Sequence, residues 1–105
     1  GVPEVVATPE IRVDCEEEKK FQLIETTKSK LGKQYKVNDI DGVRIDFGDA
    51  WGLVRASNTQ PVLVLRFEAI NAKRLKEVRS IIEGALSASA KEIGHPSMNY
   101  EQAGH

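Results

Sequence analysis

The sequence predicts an α+β domain of two layers, in which two amphipathic helices cover one face of an antiparallel sheet. Three observations indicate this class: short runs with apolar residues at every second position, two longer segments with apolar residues at helical spacing, and turn residues between neighbouring runs. Each helix needs an apolar surface, and one hydrophobic sheet face supplies it for both. A chain of 105 residues is long enough for one such domain with a modest core.

A strand followed by a helix is predicted at the beginning of the domain. Apolar and polar residues alternate over residues 11–15, which is typical of a half-buried strand. The helix begins at the acidic residues 16–18, because carboxylates oppose the positive end of the helix dipole, and it ends at Gly32. Its predicted apolar stripe consists of Phe21, Ile24 and Leu31.

Four strands and a closing helix follow. The strand runs are residues 35–40, 43–47, 51–56 and 62–69, with Asp41-Gly42 and Gly48-Asp49 as turns. Asn71 is a good N-cap for the closing helix, which is apolar on one face and charged on the other. The predicted order is therefore β-α-β4-α. We expect residues 1–9 to be a linker from a preceding domain, residues 10–90 the domain, and residues 91–105 a flexible tail.

Composition excludes several classes of function. The net charge of −1 and the mixed surface charges do not favour nucleic acid or an anionic membrane as partner. Phe47, Trp51 and Phe67 alternate as buried residues do, whereas an RNA-binding sheet exposes its aromatic side chains. No segment is apolar enough to cross a membrane, and because residues 1–10 have neither a basic segment nor an apolar run, we expect no targeting signal in them. One cysteine, Cys15, fits a reducing compartment, so we expect a cytoplasmic location.

The sequence contains no recognisable catalytic or metal-binding motif. Both histidines, His95 and His105, fall in the tail, where we expect them to be solvated. Ser57 has no histidine or lysine nearby in sequence that would activate it as a nucleophile. The remaining candidates for a cation site occupy turns and an exposed strand face, where aspartate is common for reasons of turn chemistry: Asp39, Asp41, Asp46 and Asp49.

The segment RASNTQP, residues 55–61, is the strongest candidate site. Hydroxyl, amide and loop backbone donors suit an oxyanion, and one arginine adds a planar charged fork that matches phosphate: Arg55, Ser57, Asn58 and Thr59. No carboxylate lies in the loop, and Pro61 stiffens its exit. A loop whose side chains only satisfy its own backbone would have the same composition. Chemistry alone therefore leaves both interpretations open.

RASNTQP, with VLVLRFEA after it and DGVRIDFGDAWGLV before it, closely resembles the C-terminal domain of the α-D-phosphohexomutases. The loop is most similar to the bacterial phosphomannomutase/phosphoglucomutase branch, since relatives that act on glucosamine phosphate usually carry Pro-Ser-Gly-Thr there. The similarity extends from about Glu10 to Ala90, but only the loop and its flanks are specific. Gln60 departs from the glutamate or threonine often found at that position, which leaves fine specificity open.

The resemblance implies a TATA-binding-protein-like fold and a substrate phosphate-binding role for Arg55, Ser57, Asn58 and Thr59. It implies a four-domain isomerase that interconverts hexose 1-phosphate and hexose 6-phosphate through a phosphoserine and a bisphosphorylated intermediate. This domain would anchor the phosphate that is not reacting and would not be catalytic alone. The phosphoserine, the Mg²⁺ cofactor with its aspartates, and the sugar-recognition residues are expected in other domains of the same chain.

Three points stay open at this stage. A non-catalytic regulatory domain that binds a small molecule is the alternative function, and mutase turnover with the preceding domains would separate the two. Strict alternation along the flanking strands would place Arg55 and Arg66 on opposite faces, so we interpret Arg66 as structural. Trp51 is interpreted as a packed strand residue and not as a sugar platform.

Overall fold

The computed structural model describes residues 5–40 and 42–100 of the chain. Within those residues the fold is α+β, with six strands and two α-helices, which confirms the predicted class. The elements in chain order are β1 (Val6–Ala7), β2 (Ile11–Asp14), a 3₁₀ turn (Glu17–Lys19), α1 (Lys20–Gly32), β3 (Lys36–Asn38), β4 (Val43–Asp46), β5 (Ala50–Ala56), β6 (Val62–Ala69) and α2 (Ala72–Glu92). Parts of the sequence predictions, at Asp41, His105 and residues 1–4, lie outside the described residues.

All the strands form one antiparallel sheet built around β6. Along one side β6 pairs with β5, which continues the sheet to β4 and β3. Along the other side β6 pairs first with β1 and then with β2, so two short strands share one edge. The pairing of Val6 and Ala7 with β6 is a feature that the alternation pattern does not predict, because two residues are too few to show a period.

Both helices cover the same face of the sheet, as predicted, and contact one another there. The core between the layers is made of branched aliphatic side chains together with Phe67: Ile11, Val13, Leu23, Ile45, Val54, Leu63, Leu65, Ile82 and Leu86. Gly52 is the point of closest approach, because a Cβ built on it would lie 2.2 Å from Cδ1 of Ile82 in α2. The sheet and α2 can pack this closely only where the strand has no side chain.

The stripe predicted for α1 is wrong at one position. Ile24 and Leu31 are buried, but Phe21 is 61% exposed. Lys20 takes the inward position instead, with 1% exposure, and it lies one helical turn before Leu23 and Ile24. A pattern that counts only apolar residues cannot place a buried cation, so it puts Phe21 on the wrong face.

The prediction of a solvated His95 is also wrong. His95 is 8% exposed, and its Nε2 accepts a hydrogen bond of 2.9 Å from the backbone N–H of Glu16. Further along, the Tyr100 hydroxyl donates to the Glu83 carbonyl of α2 at 3.1 Å. The described part of the predicted tail therefore packs on the domain through specific contacts of polar side chains. A periodic sequence pattern does not predict such contacts.

Candidate functional site

The loop of residues 57–61 joins the two central strands at one end of the sheet. Its base is closed by the N–H of Ser57, which donates to the Val62 carbonyl at 3.0 Å. Ala56 and Leu63 form the last strand pair before it. The edge strand β2 ends beside the loop exit, where the N–H of Cys15 donates to the Pro61 carbonyl at 2.9 Å. The loop is thus anchored to three strands of the sheet.

Ser57 organises the interior of the loop. Its Oγ accepts hydrogen bonds from the backbone N–H groups of Thr59 at 3.4 Å and Gln60 at 3.3 Å. These contacts are the local side chain to backbone bonds expected of a serine in a polar turn. Because both use the oxygen as acceptor, the hydroxyl hydrogen of Ser57 stays available to another group.

Arg55 is the penultimate residue of β5, and Ala56 separates it from the loop. It is exposed, and within residues 5–40 and 42–100 its guanidinium has no hydrogen bond or ion pair. Asn58 and Thr59 are exposed as well, and neither side chain is bonded within those residues. Three of the four predicted contact residues therefore have polar side-chain groups without a partner among the described residues.

A cleft of about 290 Å³ opens beside the loop. Arg55, Asn58 and the exposed ring of Phe21 line it, whereas Ser57 and Thr59 do not. Two carboxylates border the cleft, and one of them, Asp39, forms an ion pair with Lys28. A larger depression of 510 Å³ lies between α2 and residues 98–100, remote from the loop. We locate the site at the smaller cleft because two of the four predicted contact residues, Arg55 and Asn58, line it.

Two side chains from other elements, Lys20 and Arg12, hold the loop by hydrogen bonds that the sequence patterns do not predict. The ammonium of Lys20 donates to the carbonyl of Ser57 at 2.6 Å and lies 3.5 Å from that of Gln60. Arg12 of β2 donates to the Gln60 side-chain oxygen at 3.0 Å. The available signal was spacing: Lys20 continues the inward series of Leu23, Thr27 and Leu31 at intervals of three to four residues.

The structure corrects the orientation of Arg66. Arg55 pairs with Val64 across the two central strands, and paired residues in an antiparallel ladder share a face. Arg66 lies two residues beyond Val64 on β6, so it points to the same face as Arg55 and not to the opposite one. Alternation counted through the strands and the loop as one run gives the wrong face, because it does not contain the pairing register.

Trp51 has a structural environment on the face of the sheet opposite the helices. The Arg44 guanidinium lies 4.4 Å from its ring centroid, and its indole N–H donates to Glu68 at 3.3 Å. Phe67, in contrast, points into the core with 1% exposure. Trp51 therefore packs against two charged side chains, in agreement with its interpretation as a packed strand residue. The expectation that it alternates as a buried residue with Phe47 and Phe67 is wrong, because the strand register places it on the face away from the core.

Cys15 lies beside the loop exit with a half-buried side chain. Burial raises the pKa of its thiol from 9.0 to about 11, which outweighs the opposite influence of the Lys20 charge. The thiol is thus protonated at neutral pH, unlike the activated cysteines of enzymes.

The described residues offer little for other kinds of site. Among them, no three histidine, cysteine or carboxylate side chains come together in a way that could hold a metal ion. Within the same part of the chain, neither helix has the length and hydropathy needed to cross a membrane.

Comparison with known proteins places this architecture in a family. Residues 10–85 match the model described as "Phosphoglucomutase/phosphomannomutase, C-terminal domain". The phosphomannomutase/phosphoglucomutase of Pseudomonas aeruginosa PAO1 is 41% identical over 95 residues, which is 90% of this chain and 20% of that protein. The phosphoglucomutase of Neisseria gonorrhoeae is 33% identical over 85% of this chain and 20% of its own length.

A solved structure agrees with the sequence matches. The crystal structure of a phosphoglucomutase/phosphomannomutase family protein from Burkholderia thailandensis superposes with a TM-score of 0.69 at 35% identity, covering 85% of this chain and 19% of that one. The chain spans about a fifth of the length of the relatives it matches. It belongs to the phosphoglucomutase/phosphomannomutase family, as the C-terminal domain.

Proposed function

We propose that this domain binds the phosphate group of a hexose phosphate through Arg55 and the loop of residues 57–61. The observation that carries the proposal is the state of Arg55, whose guanidinium is exposed and unbonded within the described residues. A planar cation that forms no internal ion pair is available for bidentate contact with phosphate oxygens. Its position beside Asn58 in one cleft supports a site that includes both residues.

The other loop residues supply neutral donors. Ser57 has its hydroxyl hydrogen left over after accepting two backbone bonds, and the amide of Asn58 and the hydroxyl of Thr59 are exposed. Neutral donors around one arginine suit an oxyanion because they add hydrogen bonds without requiring buried charge. The ion pair of Asp39 with Lys28 reduces the repulsion that a lining carboxylate would otherwise exert on the anion.

In the full-length enzyme, this site would anchor the phosphate that is not reacting. A mutase that interconverts hexose 1-phosphate and hexose 6-phosphate must hold a phosphate at either end of the sugar in turn. A loop that contacts only phosphate can serve both orientations, and the binding energy it supplies helps to position the reacting end. The phosphoserine and the Mg²⁺ site belong to other domains under this proposal, so the domain alone is not catalytic.

The substrates under this proposal are mannose and glucose phosphates, and the other partners are the remaining domains of the same chain. The single cysteine, which cannot form an internal disulfide, supports a cytoplasmic location. The alternative, a regulatory domain that binds a different small molecule, lacks a specific feature in its favour among the described residues.

The test is an NMR titration of the ¹⁵N-labelled chain with glucose 1-phosphate and with mannose 1-phosphate. We expect shifts at Arg55, Asn58 and Thr59 for both sugars, with a Kd of roughly 1 mM or weaker, since one arginine on an open surface competes with water. Unphosphorylated glucose should leave these signals unchanged. Shifts that avoid residues 55–59, or that follow glucose alone, would refute phosphate binding by the loop.

Arg55→Ala is the decisive variant, with Arg74→Ala as its matched control. Loss of a charged hydrogen-bonding group should weaken binding by about 1.5–3 kcal/mol, whereas Arg55→Lys, which keeps the charge but loses the fork, should weaken it less. Arg74 is engaged by Asp49 and Glu77 away from the loop, so its removal should leave the Kd unchanged. In the full-length enzyme the loss in kcat/KM should be similar for both sugars.

A further inference from the structure

Lys20 is the one fully buried cationic side chain among residues 5–40 and 42–100. Its ammonium donates to the Ser57 carbonyl at 2.6 Å and forms an ion pair of 2.8 Å with Glu17, with the Gln60 carbonyl 3.5 Å away. These three acceptors match the three hydrogens of an ammonium group. Two of the three belong to the loop, so the buried charge is directed at the loop and not at the core.

The contact with Ser57 determines how one peptide group of the loop is turned. The carbonyl of Ser57 and the N–H of Asn58 belong to the same peptide, and the described peptide bonds are all trans. In a trans peptide the carbonyl and the N–H point in opposite directions. Because Lys20 draws the carbonyl inward, the N–H of Asn58 points toward the outer side of the loop.

The outward N–H of Asn58 is free to bind an anion. Within the described residues it donates to no acceptor, in contrast to the N–H groups of Thr59 and Gln60, which bind Ser57 Oγ. Asn58 also lines the cleft that contains Arg55. The backbone donor that Lys20 turns outward therefore belongs to a residue that borders the candidate site.

We propose that Lys20 is a positioning residue of the phosphate site: its buried ammonium holds the Ser57 carbonyl inward, turns the Asn58 N–H outward as a phosphate donor, and places a positive charge beneath the loop. This inference rests on the proposed phosphate-binding function. Glu17 neutralises part of the charge from the solvent side, where it is exposed. Lys20 acts through the loop and does not touch the ligand.

The experiment compares Lys20→Met with Lys30→Met in the same chain. Lys30 lies on the same helix and forms a surface ion pair with Glu92, away from the loop. In the free protein, Lys20→Met should move the ¹⁵N shift of Asn58, because its peptide loses the carbonyl hydrogen bond. Titrated with inorganic phosphate, it should bind about tenfold more weakly or worse. Lys30→Met should keep both the wild-type shift and the wild-type Kd.

Lys20→Gln separates orientation from charge. The glutamine amide keeps an N–H donor without the charge, on a side chain one bond shorter, so we expect an Asn58 shift closer to the wild type than that of Lys20→Met, together with a weakened Kd. Circular dichroism of each variant reports whether it is folded at the titration temperature. If Lys20→Met does not fold, Lys20→Gln and a hydrogen-bond scalar coupling between Lys20 Nζ and the Ser57 carbonyl carbon in the unmutated chain provide the test.

The outcomes separate this inference from the function on which it rests. If the unmutated chain shows no phosphate-dependent shifts in residues 55–59, both fail. If it binds phosphate but folded Lys20→Met binds equally well, or Lys30→Met is weakened as much, only the role of Lys20 is overturned. A purely structural lysine would lower the melting temperature and leave the Kd of the folded protein unchanged.

Discussion

The two loops at the ends of strand β5 use their polar groups in opposite ways. In the turn before β5, Asp46 accepts a hydrogen bond from the Gly48 N–H at 2.8 Å, and Asp49 accepts one from the Arg74 guanidinium at 2.9 Å. The Asp49 carbonyl accepts a further bond from the N–H of Ile70 at 3.1 Å. Carboxylate, guanidinium and backbone groups are all partnered within the domain, so this turn stabilises the fold.

The loop after β5 is held by internal hydrogen bonds but keeps several polar groups without a partner among the described residues. Ser57 and Lys20 hold its main chain, whereas Arg55, Asn58 and Thr59 have side chains without partners in the described chain. Both loops are rich in polar residues, so composition does not separate them. The presence or absence of internal partners separates them. It indicates that Arg74 is structural and that Arg55 is available to a ligand.

The largest expected effect comes from truncating one side chain of the core that lies between the two loops at the ends of β5. Ile82 is fully buried, and Ile82→Ala should destabilise the domain by about 2–5 kcal/mol through lost burial and a cavity. Urea unfolding followed by Trp51 fluorescence and by loop resonances should then shift equally, as one cooperative unit requires. Different midpoints for the two probes would show that the two ends of β5 unfold independently. The two loops could then not be compared as parts of one folded unit.

The alkylation rate of Cys15 measures how well the protein shields the end of the sheet beside the loop. Because its pKa is raised from 9.0 to about 11, the thiolate fraction at pH 8 is about 100-fold below that of an ordinary thiol. Alkylation by iodoacetamide at pH 8 should therefore be slower by about that factor, and it should recover in urea. The raised pKa also implies stability that is present below pH 9 and lost as the pH rises toward 11. Rapid alkylation of the folded chain would mean that the loop end opens readily.

Ser57→Ala and Asp46→Ala form a matched pair, because each removes a side chain that accepts backbone N–H bonds in one of the two loops. Both should lower the free energy of unfolding by about 0.5–1.5 kcal/mol. Only Ser57→Ala should also weaken phosphate binding. If Asp46→Ala weakened phosphate binding as much as Ser57→Ala, the assignment of phosphate binding to the loop after β5 alone would be wrong.

The smallest effect concerns Asp39 at the edge of the cleft. The hydrogen bond from Lys28 lowers the pKa of Asp39 below its ordinary value of 3.8. A depressed folded-state pKa means that the contribution to stability is present above pH 3.8 and is lost as the pH falls below it. Lys28→Ala should return the pKa of Asp39 toward 3.8 in a ¹³C-detected carboxyl titration. Because both groups are exposed, 1 M salt should largely reproduce the effect of the variant.

Sequence patterns were sufficient for most of the fold. Alternation located the strands that pair as β2, β4, β5 and β6, and Asn71 is the N-cap of α2, with its side chain accepting from the Arg74 N–H at 2.8 Å. Local chemistry also identified the loop as a candidate site. These features depend on neighbours within a few residues, which periodicity and turn chemistry describe well. The strand at Val6–Ala7 was missed because only its pairing with β6 defines it.

For this protein, the amino-acid sequence alone determined the two-layer order of elements and the unusual donor content of residues 55–59. Tertiary structure decided which of those donors are free. It brought Lys20 under the Ser57 carbonyl across 37 residues, and the strand register placed Arg66 on the same face as Arg55. The physical reason is that a hydrogen bond or a shared face depends on register and on long-range packing, which local spacing does not contain.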